Sequence, residues 1–141
     1  MASPKEDCQA LVDAFLLVAR KMLTEHGEFL PYGAAMRPDG EIELVSAYDG
    51  RERPPSKDLI TILKNQFMDG ARSGEYIATA TFYDVRIGKD KKDAIAVSLD
   101  HRDGYSVIAF FPYEIVDGTL INGVPTATKG AADIFPAPLT H

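Results

Sequence analysis

The densest group of side chains able to do chemistry is the run Leu99-Asp100-His101-Arg102-Asp103-Gly104. A histidine flanked by carboxylates and a guanidinium can serve as a general base or as a carboxylate-oriented metal ligand. The spacing argues against it. Neighbours along a strand point to opposite faces, so Asp100 and His101 reach one site only through a bulge, and Asp103 already has a role in an Asp-Gly turn. The reading for His101 is structural, with an enzyme centred on it as a third alternative. His26 is explained by its place in the last turn of a helix, and His141 is the final residue.

Other candidates are equally unspecific. Glu41, Glu43, Asp49 and Glu52, with the mixed stretch Arg51-Glu52-Arg53, could suggest a cation or phosphate site. Neither calcium-loop spacing nor a glycine-rich phosphate loop accompanies them, so they read as solvated charge. Lys89-Asp90-Lys91-Lys92-Asp93 is nearly charge-balanced and too short to grip a nucleic-acid backbone. The single cysteine, Cys8, excludes an intrachain disulfide and a cysteine-based zinc site and reads as a small buried hydrophobe. No catalytic residue, metal or cofactor is assigned.

The elements that would position these groups are legible. Ser3-Pro4-Lys5-Glu6 is a helix start, with a hydroxyl cap, a proline at the first helical position and a glutamate at the capping-box position. Cys8, Leu11, Val12, Phe15, Ala19, Met22 and Leu23 form an apolar stripe, and Gly27 ends it, which predicts a helix over 4–26. Residues 32–37 and 41–48 flank Pro38-Asp39-Gly40 and predict a hairpin. Ser56 as cap and the stripe Leu59, Ile60, Leu63, Phe67, Ala71 predict a second helix over 57–72. Strands come next at 75–86, 94–101 and 105–113. In 94–101, Ile95, Val97 and Leu99 alternate with Ala94, Ala96, Ser98 and Asp100. In 105–113 both faces are apolar, which reads as a central strand. Asp117-Gly118 and Asn122-Gly123 bracket one short strand, Thr119-Leu120-Ile121, before an extended tail.

Length and composition bound the rest. The chain has 141 residues, 45% hydrophobic and 26% charged, with 11 Gly and 9 Pro, which fits one globular domain over 1–141 with its core in 4–113. A net charge of −6 argues against a nucleic-acid partner. The opening MASPKEDC lacks the basic and apolar segments of a signal peptide, and the longest apolar stretch, 14–19, is too short to span a bilayer. The expectation is therefore a cytoplasmic protein that engages no membrane; the chain also has the look of small bacterial proteins.

The order helix, two strands, helix, three strands predicts an α+β fold: a five-stranded, mainly antiparallel sheet with both helices on one face. Over 4–113 this order resembles profilin-like and roadblock/longin-type modules. The resemblance implies strand order 2-1-5-4-3 and carries no functional residue with it.

Two helices on one face leave the other open. Ile108 and Phe110 share the face opposite Val107 and Phe111, and Tyr83 joins a neighbouring strand. Covering that face falls to the segment 115–141 or to a second chain. The leading reading is thus a non-catalytic interaction or adaptor module, a homodimer or bound to another protein. Tyr83, Ile108, Phe110 and His101 are its candidate binding residues. The alternative is a small-molecule sensor domain with a pocket between the sheet and helix 57–72.

Overall fold

The computed structural model describes residues 3–48, 50–52 and 54–136; the readings made for Asp49, Arg53 and His141 lie outside them. Helix α1, Pro4–His26, begins as its sequence dictates: Ser3 Oγ accepts from the Glu6 amide at 3.1 Å. The Ser3 hydroxyl itself lies 3.3 Å from Glu6 Oε1, so one half of the capping box is formed. Gly27, at φ +75°, closes the helix by donating its N–H to Leu23. Cys8, Leu11, Val12, Leu16, Ala19 and Leu23 are buried, while Met22, expected inside, is exposed.

Strands β1, Tyr32–Met36, and β2, Ile42–Val45, form the expected hairpin. Helix α2, Ser56–Ser73, starts one residue earlier than expected. Its cap is Pro55, so Ser56 makes no side-chain capping bond. Then come β3, Ala78–Ile87, β4, Lys92–His101, and β5, Ser106–Val116. Asp117 and Gly118, both at positive φ, make the two-residue turn into β6, Thr119–Asn122. The tail contributes one more short strand, β7, Thr126–Lys129, paired with β5.

The class is α+β with an antiparallel sheet, but three details differ from expectation. The sheet has seven strands in the order β2-β1-β3-β4-β5-β6, with β7 also on β5, rather than five in the order 2-1-5-4-3. The central strands are β3 and β4; β5 lies one step further out. The helices lie on opposite faces. Tyr32, Ala34, Met36, Ala80, Phe82, Val97 and Leu99 face α1, whereas Ala35 packs with Leu63 and Phe67 of α2. The connection from β2 through α2 to β3 thus crosses the face that α1 leaves open.

Packing explains how both helices come so close. Ala34, Ala35, Ala78, Ala80, Ala94 and Ala96 are fully buried, and small side chains let a helix approach the backbone. On the α1 face, Tyr32 stacks on Phe82 at 4.7 Å. Its hydroxyl donates to the Phe15 carbonyl at 2.7 Å and accepts from the Ala19 amide at 3.0 Å. It thereby bridges two groups that a regular helix would join directly. On the α2 face the Phe67 ring lies over Gly33, where any side chain would collide with it.

The second face is therefore covered from within the chain. Helix α2 lies over β1 and β3, and Ile134 of the tail is buried against the same cluster. Over β4 and β5 the cover is thinner, and Tyr83, Ile108 and Phe110 remain half-buried.

Candidate functional site

His101 ends β4 on the α1 face, and its ring is 2% exposed. Nδ1 accepts from the Asp103 amide at 3.1 Å, so Nε2 carries the proton and faces Asp7 Oδ2 at 2.9 Å. Both ring nitrogens are engaged in holding the first turn of α1 against the β4–β5 hairpin. Asp100, its neighbour, points to the other face, as strand alternation requires. Cys8 is buried beside these groups. Burial first, and then the nearby Asp100 and Asp7, push its thiol up to about 12, which keeps it protonated at neutral pH. Among the described residues no group of three His, Cys, Asp or Glu side chains could hold a metal ion. No helix there is long and apolar enough to cross a membrane.

The opposite face holds a cleft of about 200 Å³ between α2, the sheet and the tail segment 130–134. Register builds its floor. Thr81 lies opposite Ser98 and Ser98 opposite Ile108, which puts hydroxyls of β3 and β4 beside an apolar side chain of β5. Tyr83 continues the β3 row, its hydroxyl 3.1 Å from Ser98 Oγ. One residue pair along, Asp100 lies opposite Ser106, and Ser106 Oγ donates to Asp100 Oδ1 at 2.8 Å. Ile60 and Lys64 of α2 form one wall, and Gly130, Ala131, Asp133 and Ile134 form the other.

Three contacts seat the tail. Gly130 donates its amide to the Ser106 carbonyl at 3.0 Å, and Ala132 donates to Ser106 Oγ at 3.0 Å. Lys64 forms an ion pair with Asp133 across the mouth. A second recess, of about 190 Å³ and mainly apolar, lies beside Tyr105, Phe135 and Pro136 and shares Asp100 and Ser106 with the first. Asp100 is 8% exposed. Burial holds its carboxyl above the usual carboxylate range and Asp133 adds to this, while the Ser106 hydrogen bond and Lys64 act in the opposite sense.

Of the residues singled out from sequence, Tyr83 and Ile108 meet in this cleft. Phe110 shares their face, opposite Ala96, but lies outside the cleft lining. His101 belongs to the other face. Asp100, weighed from sequence only as a companion of His101, is a cleft residue; Ser98, Thr81, Ser106, Lys64 and the segment 130–134 are cleft residues that sequence reasoning missed. Their signal is present in β4, where Ser98 and Asp100 are the polar half of the alternation, and in the threonines of β3. No family model matches this chain, and neither a curated protein nor a solved structure does. The resemblance to profilin-like modules gains no support from these comparisons, and the observed strand order departs from it.

Proposed function

We propose that this chain is a non-catalytic binding module that takes a small molecule into the cleft between α2 and the sheet. The observation that carries the reading is the composition of that cleft. Hydroxyls and one buried carboxylate form its floor, isoleucines form its upper walls, and a tail segment closes one side. A few convergent polar groups within apolar walls are the usual make-up of a ligand site. The volume is below the roughly 300–1,000 Å³ of sites for drug-sized ligands, which restricts the occupant to a small metabolite. A single protonated thiol suits a reducing, cytoplasmic setting.

The test is a thermal-denaturation screen of small organic molecules of mixed charge, run on the native chain and on Ser98→Leu, whose larger side chain fills the floor. A ligand present at 100 times its dissociation constant adds about 2.7 kcal/mol of stability. Compounds that raise the melting temperature of the native chain and leave that of Ser98→Leu unchanged support the reading. A library without a stabilising member, or one that stabilises both proteins equally, contradicts it.

A second observation favours association with another protein. Among the described residues, strand β2 pairs with β1 alone, and Met22, Leu30 and Leu44 are exposed together beside it. Glu43 of that strand is held by Arg37 at 2.8 Å, which offsets its charge at the edge. An unpaired edge of this kind can take a strand of a second copy or of another protein. A dimer by light scattering at micromolar concentration that Leu44→Glu dissolves would favour self-association at this edge.

A further inference from the structure

We infer that the ligand of this cleft carries a primary ammonium group, bound at Asp100. The inference rests on the reading of the cleft as a small-molecule site and goes on to specify its chemistry.

Asp100 is the deepest charge in the cleft. Among the described residues, Ser106 is the only group that hydrogen-bonds its carboxylate, and it does so at Oδ1. Its other oxygen, Oδ2, has no such bond among the described residues and is not sealed from solvent, so a donor with positive charge that reaches it is its natural complement. Lys64, the cation whose charge acts on Asp100, is held by Asp133 at the mouth. The charged groups lining the cleft are Asp100 and Asp133 against Lys64, a net single negative charge. An anionic ligand would be repelled, and a neutral one could give Asp100 only an uncharged hydrogen bond in place of the water it displaces.

An ammonium group has three donors. One is matched by Asp100, and the hydroxyl oxygens of Ser98 and Thr81 on the same floor accept the others. Ile60, Ile108 and Ile134 then define the remainder of the ligand, a short aliphatic body. A bare divalent cation is a poorer fit, since calcium requires six to eight oxygen ligands. A quaternary ammonium has no N–H to give the carboxylate. Burial also makes the Asp100 charge unfavourable for the empty chain, as befits a group positioned for a ligand.

The experiment titrates n-butylammonium chloride into the full chain, following the cleft amides by NMR. Sodium chloride, n-butanol, sodium butyrate and tetramethylammonium chloride are the matched controls. The expected result is saturable movement of the Ser98, Ile108 and Ala131 amides with n-butylammonium alone. Asp100→Asn, which keeps an acceptor for Ser106, should weaken that binding by about tenfold or more, the loss expected for a charge-assisted hydrogen bond.

Equal binding by Asp100→Asn, or no response to n-butylammonium, would each overturn the inference. Response to butanol or butyrate alone would do so as well, while leaving the cleft standing as a small-molecule site.

Discussion

Gly33→Ala probes the arrangement that creates the cleft, namely that α2 lies on the face opposite α1. A Cβ at position 33 would sit 2.5 Å from Phe67 Cζ, 3.0 Å from Phe67 Cε2 and 3.2 Å from the Ala80 carbonyl oxygen. Ordinary carbon contacts are about 3.5–4.0 Å, so the Phe67 ring must move by roughly an ångström. It is fully buried and packed with Leu63, Ala35 and Ile134, so it has little room to do so. Overpacking of this kind costs about 1–3 kcal/mol. Replacing glycine by alanine returns about 0.4–1 kcal/mol through the unfolded chain. The net expectation is a loss of about 0.5–2 kcal/mol in urea denaturation, with an unchanged slope. In a Phe67→Leu background the obstructing ring atoms are gone, and Gly33→Ala should become neutral or stabilising. The resulting coupling, about 1–3 kcal/mol, is in the range found for residues in contact. The same cost in both backgrounds would refute the placement of α2 over Gly33.

Single contacts carry the other expectations. Ser3→Ala removes the acceptor for the Glu6 amide and should cost about 0.5–2 kcal/mol; an unchanged denaturation midpoint would contradict the cap. Asp7→Ala strands the buried His101 Nε2–H and should cost about 1–3 kcal/mol. Asp7→Asn, which can still accept through its side-chain oxygen, should cost less, and the reverse order in urea denaturation would count against the pairing. Because Asp100 is held above the usual carboxylate range, the folded chain binds more protons than the unfolded one between the ordinary and raised values. Stability from this group therefore falls as pH rises through that window. Asp100→Asn should stabilise the chain at neutral pH, with the gain fading in acid, and equal midpoints at pH 7 would contradict it. With its thiol pushed up to about 12, native Cys8 should resist iodoacetamide at pH 7 and react once the chain is unfolded; rapid native alkylation would show the site to be open.

The features that were legible in the sequence, and those that were hidden, have physical reasons. The ends of α1 were readable because Ser3, Pro4 and Gly27 each have a backbone reason to stand where they do. The β5–β6 turn was readable because Asp117-Gly118 tolerates two positive φ values. Strand order was not. Apolar residues on both faces of β5 show that both faces are covered, but cover on both sides does not require a place at the centre of the sheet. One cover is the core cluster to which α1 belongs, against which Val107 and Phe111 pack; the other is the tail, in the cleft at Ile108. The sides taken by the helices were hidden too, because β1 is buried at all five positions and has no alternation to orient it.

The site was half visible. Ser98 and Asp100 stand out as the polar side of β4 and resemble a solvent face. Only the register across β3, β4 and β5 joins them to Thr81 and Ser106. Lys64 and Asp133 meet through tertiary structure alone.

The central claim, that the cleft between α2 and the sheet is where this protein binds its ligand, is met most directly by an amide-resolved NMR titration with the stabilising compounds of the thermal screen. Binding in the cleft predicts saturable shifts at Ser98, Ser106, Ile108, Gly130 and Ala131, with the amides of Val12 and Ala19 on α1 unmoved. Shifts confined to Leu30, Leu44 and the β2 edge, or to the α1 amides, would contradict it.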